Sequence, residues 1–445
     1  MSGLANIGRV PELRTRLFFT LGMLAVYRLG VFVSLPGINV ETLRNQFQQS
    51  AGTLFGIVNM FSGGALENFS VFTLGVAPYI SVSIIMQLLT PVIPTLESLK
   101  KEGEAGRKVI TRITRQATIG LALIQGYFIA AGLQASTGMV YYDGPEFILV
   151  TMFTLTAGTA FIMWLGEQIT EKGLGNGISV LIFAGIVAQM PSVLAGTAEL
   201  VRQHEISALT MVFLLAFCLA TIYFIVFVER SSRKVPVQYP KRMVGNRLTQ
   251  AQTQFMPLKL NMSGVLPPIF AYALLSIPAM TLSFSQNEAV QSILAELSPG
   301  QLGYEVVLVV LIMFFAYFYA SIIYNPDEVA ENLKKGGGFI PSVRPGKQTA
   351  EYLESLLGRL TLWGGLYLAL ICVVPQLIYF ELNAASFAAV FGGTAVLIAV
   401  SVTLDTAAQI ESIMVSRNYE AFMSKQPKLR GVGSASYNRS RILKR

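Results

Sequence analysis

SVFTLGVAPYISVSIIMQLL, residues 70–89, decides the fold. It runs for about twenty residues without a charge, the length a helix needs to cross the hydrocarbon core of a bilayer. Working outward, runs of this kind fall at 17–35, 71–93, 117–135, 147–166, 177–195, 208–228, 263–284, 305–324, 360–380 and 386–404. Barrel strands would instead read as alternating segments of about ten residues. The composition agrees. Of 445 residues, 53% are hydrophobic and 13% charged, against about 25% charged in a soluble domain. The mean hydropathy is +0.56. A soluble globule cannot cover that much apolar area, so the chain is expected to be an all-α polytopic membrane protein with ten transmembrane helices. The first run follows a short basic tail and lacks a small-residue cleavage site, so 17–35 reads as a retained helix rather than a signal peptide.

Charge sets the orientation. With both ends inside, segments 1–16, 94–116, 167–176, 229–262, 325–359 and 405–445 hold 30 of the 33 Lys and Arg. The outside loops hold Arg44 and Arg202, and ten acids once the edge residues Glu305 and Glu381 are included. Such an excess of Lys and Arg marks the cytoplasmic side. The net charge of +8 then reads as basic loops facing anionic headgroups and whatever docks there. Ten spans also divide into two sets of five, one starting inside and the other outside. That is the logic of an inverted-repeat fold, although no residue-level repeat accompanies it.

Three connecting stretches and one tail stand out. Segment 229–262 is long and basic, with a β-prone VPVQY. Segment 325–359 starts like a capped helix, with Asn325, Pro326 and two acids, and breaks at Gly336-Gly337-Gly338. Each reads either as a docking site or as a solvated connector. Segment 54–70, LFGIVNMFSGGALENFS, is too short to span and too apolar for a free loop. It fits a re-entrant piece buried in the protein or an interfacial helix on the outer leaflet. Residues 425–445 read as a disordered basic tail.

Much chemistry is missing. Pro345-Gly346-Lys347-Gln348-Thr349 lacks the first glycine of a P-loop, so energy for any active work must come from a partner or a gradient. No nucleophile elbow is present. His204 is the only histidine, which excludes a zincin-type site. Cys218 and Cys372 sit in apolar runs and read as buried thiols. Within the spans the ionisable groups are Arg28 and, at an edge, Asp405, too few for a typical proton-coupled transporter. Arg28 reads as snorkelling or pairing locally. Pro78, Pro267, Pro268, Pro375, Gly392-Gly393 and the run 173–177 allow close helix contacts or helix breaks.

Segment 70–89 and WLGEQITEKGLGNGISVLI, 164–182, resemble the SecY family, the central subunits of the Sec protein translocase. The same holds for Leu35-Pro-Gly-Ile38, FSGGALENFSVFTLG (61–75), VPVQYPKR (235–242), NMSGVLPPIF (261–270), NPDEVAENLKKGGGFIPSVRPGKQT (325–349) and FGGTAVLI (391–398). The motifs occur in family order and cover the chain from Arg9 to about Tyr419. The resemblance implies an hourglass channel of two inverted five-helix halves, 1–196 and 197–424. It passes unfolded preproteins with signal sequences across the membrane and releases apolar segments into lipid. A constriction ring of Ile80, Ile84, Ile178, Ile182, Ile269 and Ile398 is implied. Ile80/Ile84 and Ile178/Ile182 are i, i+4 pairs, each on one helix face. Without the resemblance they would read as lipid-facing residues.

Segment 54–70 becomes the plug, centred on Phe61, Ser62, Gly63 and Gly64. A lateral gate lies between spans two and three and spans seven and eight, with Gln87 and Asn261 as its polar residues. Lys234, Arg242, Arg247 and Arg344 are implied in docking a SecA motor ATPase and the ribosome. Where the family often has two basic residues, this chain has Asn246-Arg247. Small SecE-like and SecG-like membrane subunits are implied partners, the bacterial inner membrane is the implied location, and no cofactor or enzymatic activity is expected. Two other classes make different demands: a secondary transporter needs buried polar ligands at helix breaks, and an intramembrane enzyme needs a catalytic pair within the spans.

Overall fold

The computed structural model describes residues 11–43, 59, 62–135, 138–141, 144–240, 243–244, 247–248, 252–282, 301–382, 387 and 390–425. Side chains are described in all of these except 243–252, 276–282, 380 and 416–425. Phe61, Arg242 and the tail beyond Lys425 therefore lie outside the described residues, as does the side chain of Arg247.

The helices are α1 (Pro11–Val31), α2 (Ala77–Leu89), α3 (Pro94–Lys101), α4 (Glu104–Ala135), α5 (Pro145–Lys172), α6 (Gly177–Arg202), α7 (Ala208–Glu229), α8 (Leu266–Leu282), α9 (Leu302–Ile323), α10 (Pro326–Gly336), α11 (Lys347–Glu381) and α12 (Gly393–Lys425). Each of the ten expected spans falls on one of them. Among the described residues seven helices are long and apolar enough to cross a membrane, or eight if α2 and α3, bent by 95°, count as one. At the other two positions, α1 carries Arg14, Arg16 and Arg28, and α8 is 17 residues long.

The second span differs from expectation at its start. Its helix begins at Ala77, not near 71. Residues 62–76 form a chain of turns instead, closed by bonds such as Ser70 N–H to Ala65 O at 2.9 Å and Gly75 N–H to Phe72 O at 2.8 Å. Gly63, Gly64 and Gly75 have φ of +68°, +86° and +55°, a region in which other L-residues are strained. Pro78 in the first turn of α2 fits a helix start, where a missing N–H costs nothing.

Apolar burial drives little helix association in lipid, so close packing must carry it. Glycines supply that closeness where helices start. A methyl group on Gly177 would lie 1.8 Å from the Gly166 carbonyl oxygen, and one on Gly393 would lie 1.5 Å from that of Ile371. The turn between α5 and α6 is tied on both sides. Leu174 N–H donates to Thr20 Oγ1 of α1 (3.1 Å), and Gly175 N–H to Gln409 Oε1 of α12 (2.7 Å). One large core joins α7, α8, α9, α11 and the start of α12, and takes in Ile84 of α2. A second joins α1, the turn segment, α5, α6 and α12.

The two conspicuous loops form one structure. Strand β1 (Ser232–Tyr239) pairs antiparallel with β4 (Gln252–Lys259), and short β2 (Met243–Val244) pairs with β3 (Arg247–Leu248) between them. Asn325 caps α10 by accepting the Asp327 N–H, and Gly337 ends it at φ +74°, as the sequence pattern predicts. Gln238 and Phe339 exchange backbone hydrogen bonds of 2.8 and 2.9 Å, joining the hairpin to the stretch after α10. Val235, Leu258, Ile340, Leu353 and Leu360 form a small core beneath this junction.

Candidate functional site

The turn segment 62–76 is buried rather than laid on a surface. Ser62, Ala65, Leu66, Phe69, Ser70, Phe72 and Thr73 are all buried. Residues 54–58, 60 and 61 of the expected re-entrant stretch lie outside the described residues, and the described remainder is packed inside the protein, as the re-entrant alternative requires. Adjacent residues of α1 hold the tip of this segment: Tyr27 Oη donates to Ser62 O at 3.0 Å, and Arg28 Nη1 donates to Gly63 O at 2.8 Å. From α6, Gln189 Nε2 donates to Asn59 O at 3.0 Å. Gly63 and Gly185 meet backbone to backbone, and a methyl on Gly63 would come within 2.9 Å of Gly185 Cα. Phe72 stacks between Tyr27 and Phe161, with ring centroids 5.9 Å from each. Arg28 pairs locally, as its isolation in a span suggests, and its guanidinium also lies 5.4 Å from the Phe32 ring.

Below this segment helices distant in sequence converge. Ile182 of α6 and Ile398 of α12 are buried in the core that also holds Ala65, Phe72 and Val76, and Ile80, Ile178 and Ile269 pack against it. Five of the six expected ring residues thus meet in one cluster. Ile84 belongs to the neighbouring core, which Ile80 and Ile269 also touch. Ile178 leans on α5, where a methyl on Gly166 would lie 2.9 Å from its Cδ1.

A cavity of about 350 Å³ opens against Ile182, Ile269 and Ile398, and its other walls mix polar residues such as Asn176, Glu229, Asn261 and Asp405 with apolar ones such as Met262, Val265 and Leu404. Asn261 sits there, 3% exposed. Its Nδ2 donates to Glu229 Oε1 at 2.7 Å and Gly264 O at 3.0 Å, and its Oδ1 accepts from Ser263 Oγ at 3.3 Å. Gln87 on α2 is half-buried and donates to Ser83 Oγ at 3.2 Å. The structure does not join Gln87 to Asn261. It places Gln87 on a helix that packs against α8, and Asn261 in the cavity.

Lys234 is exposed on β1 and Arg344 is exposed in the turn before α11. The Arg344 carbonyl accepts from Thr349 Oγ1 at 2.8 Å, which fixes its backbone while the guanidinium stays free to reach outward. The main chain of Arg247 lies in β3. Sequence reasoning missed Tyr27, Gln189 and Glu229. A charge inside a span points to Arg28, but a tyrosine or glutamine in an apolar helix has no comparable signal.

Comparison with known proteins agrees with this architecture. A profile of the SecY family matches residues 70–407. The protein translocase subunit SecY of Vibrio cholerae is 45% identical over 432 residues, covering 95% of this chain and 96% of that protein. A solved SecY translocation channel, whose plug domain is described as stabilising the closed state and maintaining a membrane seal, superposes with a TM-score of 0.65 at 18% identity. It covers 91% of this chain and 93% of its own. The Sec61 channel of a canine ribosome–channel complex gives 0.63 at 17% identity with the same coverage. With a relative this similar along nearly its whole length, and with a family profile spanning most of its helices, the chain belongs to the SecY family.

Proposed function

We propose that the chain is the pore of a protein-conducting channel that passes unfolded preproteins across the membrane and releases apolar segments sideways into lipid. The observation that carries this is the meeting of isoleucines from α2, α6, α8 and α12 at one place, adjoined by a buried turn segment and a cavity of mixed lining. An apolar neck can dewet and block ions, yet it can deform around a chain of any sequence. Ile80, Ile84, Ile178, Ile182, Ile269 and Ile398 form the collar. Segment 54–70, with Ser62, Gly63 and Gly64 at its held tip, is the plug. The seam between α2 and α8 is the gate to lipid, with Gln87 and Asn261 near it.

The platform of hairpin, α10 and the Arg344 turn is the docking surface for a SecA-like motor and the ribosome, through Lys234, Arg242, Arg247 and Arg344. Its basic character supports both ends on the cytoplasmic side of a bacterial inner membrane, with residues 1–196 and 197–424 as the two halves. SecE-like and SecG-like subunits complete the channel, and the chain itself contributes no catalysis. The test is reconstitution into proteoliposomes with those subunits, the motor and ATP. Protease-protected preprotein should accumulate only when this chain is present, and protection without it would refute the assignment.

A further inference from the structure

One face of α6 runs from the collar to the tip of the turn segment. Ile178, Ile182, Gly185 and Gln189 follow one another at helical spacing and share that face. Ile178 and Ile182 belong to the collar. At Gly185 the segment is seated backbone to backbone, since a methyl there would lie 3.1 Å from Gly63 Cα. One turn further on, Gln189 Nε2 donates to Asn59 O at 3.0 Å. At about 1.5 Å of rise per residue, Gln189 stands roughly 10 Å beyond Ile182 along the helix.

Asn59 is where the segment is knotted. Its carbonyl accepts from Gly64 N–H at 2.9 Å and Ser62 Oγ at 3.0 Å, and its Oδ1 accepts from Glu67 N–H at 3.0 Å. Gln189 therefore grips the segment at the residue that holds its turns together. The grip differs in kind from that of α1. Arg28 donates a charged N–H to Gly63 O, and letting go would strip a cation in a span of its acceptor. Gln189 is neutral and half-buried, and without it Asn59 O keeps the two donors of its own segment. Breaking this tie orphans no carbonyl, so the penalty that makes a lost hydrogen bond expensive is absent. Pro191 has no N–H for the Val187 carbonyl. That leaves α6 one internal bond short at the outer edge of the tie, where the helix can bend.

Resting on the channel reading, we infer that Gln189 is a positioning residue, a releasable latch that ties the plug to a helix of the collar. A chain that parts the collar displaces Ile178 and Ile182, and the face that carries them draws Gln189 away from Asn59. The bend at Pro191 lets this part of α6 move while its outer end stays in place. The α1 contacts remain as the anchor, so the segment comes free on its α6 side and is recaptured when the collar closes.

The test is the resting ion leak of planar bilayers holding the full chain with its small subunits. Gln189→Leu removes the donor with little change in volume, and should raise the leak about three- to ten-fold, the factor that one neutral hydrogen bond carries. With residues 62–64 also deleted, the same substitution should add nothing. Gln189→Glu separates a latch from mere packing. Near neutral pH its carboxylate has no proton to donate, and it should leak at least as much as Gln189→Leu. At about pH 4 or below the carboxyl is protonated and donates again, so its leak should fall back toward that of the unaltered protein at the same pH. Bridging Gln189→Cys to Asn59→Cys with a cleavable bifunctional thiol reagent should stop preprotein passage, and cleavage should restore it. Four results each overturn the latch while leaving the channel reading intact. They are an unchanged leak in Gln189→Leu, an added leak after the deletion, a Gln189→Glu leak indifferent to pH, and passage through the bridged protein. Failure of the unaltered protein to pass preprotein overturns both.

Discussion

Arg28 is a charge in a helix otherwise suited to lipid, and its guanidinium reaches the backbone of the segment that we assign as the plug. A hydrogen bond from a charged donor contributes about 1.5–3 kcal/mol, enough to shift an open–closed balance by roughly ten-fold or more. Arg28→Ala should therefore raise the resting ion leak of the reconstituted channel by about that factor, and Tyr27→Phe, which removes a neutral donor to Ser62, by less. A leak unchanged in both variants means that α1 does not hold the segment shut. The collar makes a separate demand. Replacing Ile182 and Ile269 with Ser puts hydroxyls where the neck must stay dry. Conductance in planar bilayers should rise, and further when residues 62–64 are also deleted. No rise even with that deletion would remove the collar from the account.

At the scale of elements, the hairpin and the stretch after α10 act as one body because Gln238 and Phe339 bond backbone to backbone over Val235, Leu258 and Ile340. Gly338 is tightly covered, since a methyl there would lie 3.0 Å from the Tyr239 ring and 3.1 Å from Val237 Cγ1 and those side chains would have to give way. Gly338→Val should cost about 1–3 kcal/mol of local stability, seen as faster proteolysis of both loops together. If the loops are cut at independent rates, they are not coupled. Arg344→Glu should abolish motor-driven translocation while membrane insertion persists, because an exposed guanidinium carried on a fixed backbone suits bidentate contact with a carboxylate. Arg242→Glu with Arg247→Glu should instead weaken ribosome binding and flatten its salt dependence, since contacts to a polyanion release counterions. Normal secretion by the first variant, or an unaltered salt slope in the second, reassigns those residues.

Across the whole molecule, legibility followed periodicity. Long apolar runs marked a helix at each of the ten expected positions but not α3 or the charged start of α4, and Asn325-Pro326 with Gly337 marked both ends of α10. The start of α2 was not legible. Residues 70–76 are as apolar as a helix, and only the buried turn bonds around Gly75 keep them out of one. The union of the two loops was equally hidden, because the bonds between Gln238 and Phe339 link backbone groups about a hundred residues apart and leave no mark on composition. The isoleucines were readable as candidates through their motifs, whereas the partnership of Glu229 with Asn261 depends on how α7 ends beside the segment before α8.

The central claim is that a polypeptide passes through the isoleucine cluster. The most direct measurement places a photo-crosslinking residue at Ile182, at Ile398 or at Leu219, which is 67% exposed on α7, and stalls a preprotein partway through the membrane. Crosslinks to the stalled chain from the two ring positions, with none from Leu219, are the predicted result. Crosslinks from Leu219 with silent ring positions would place the path outside the protein's centre and contradict the account.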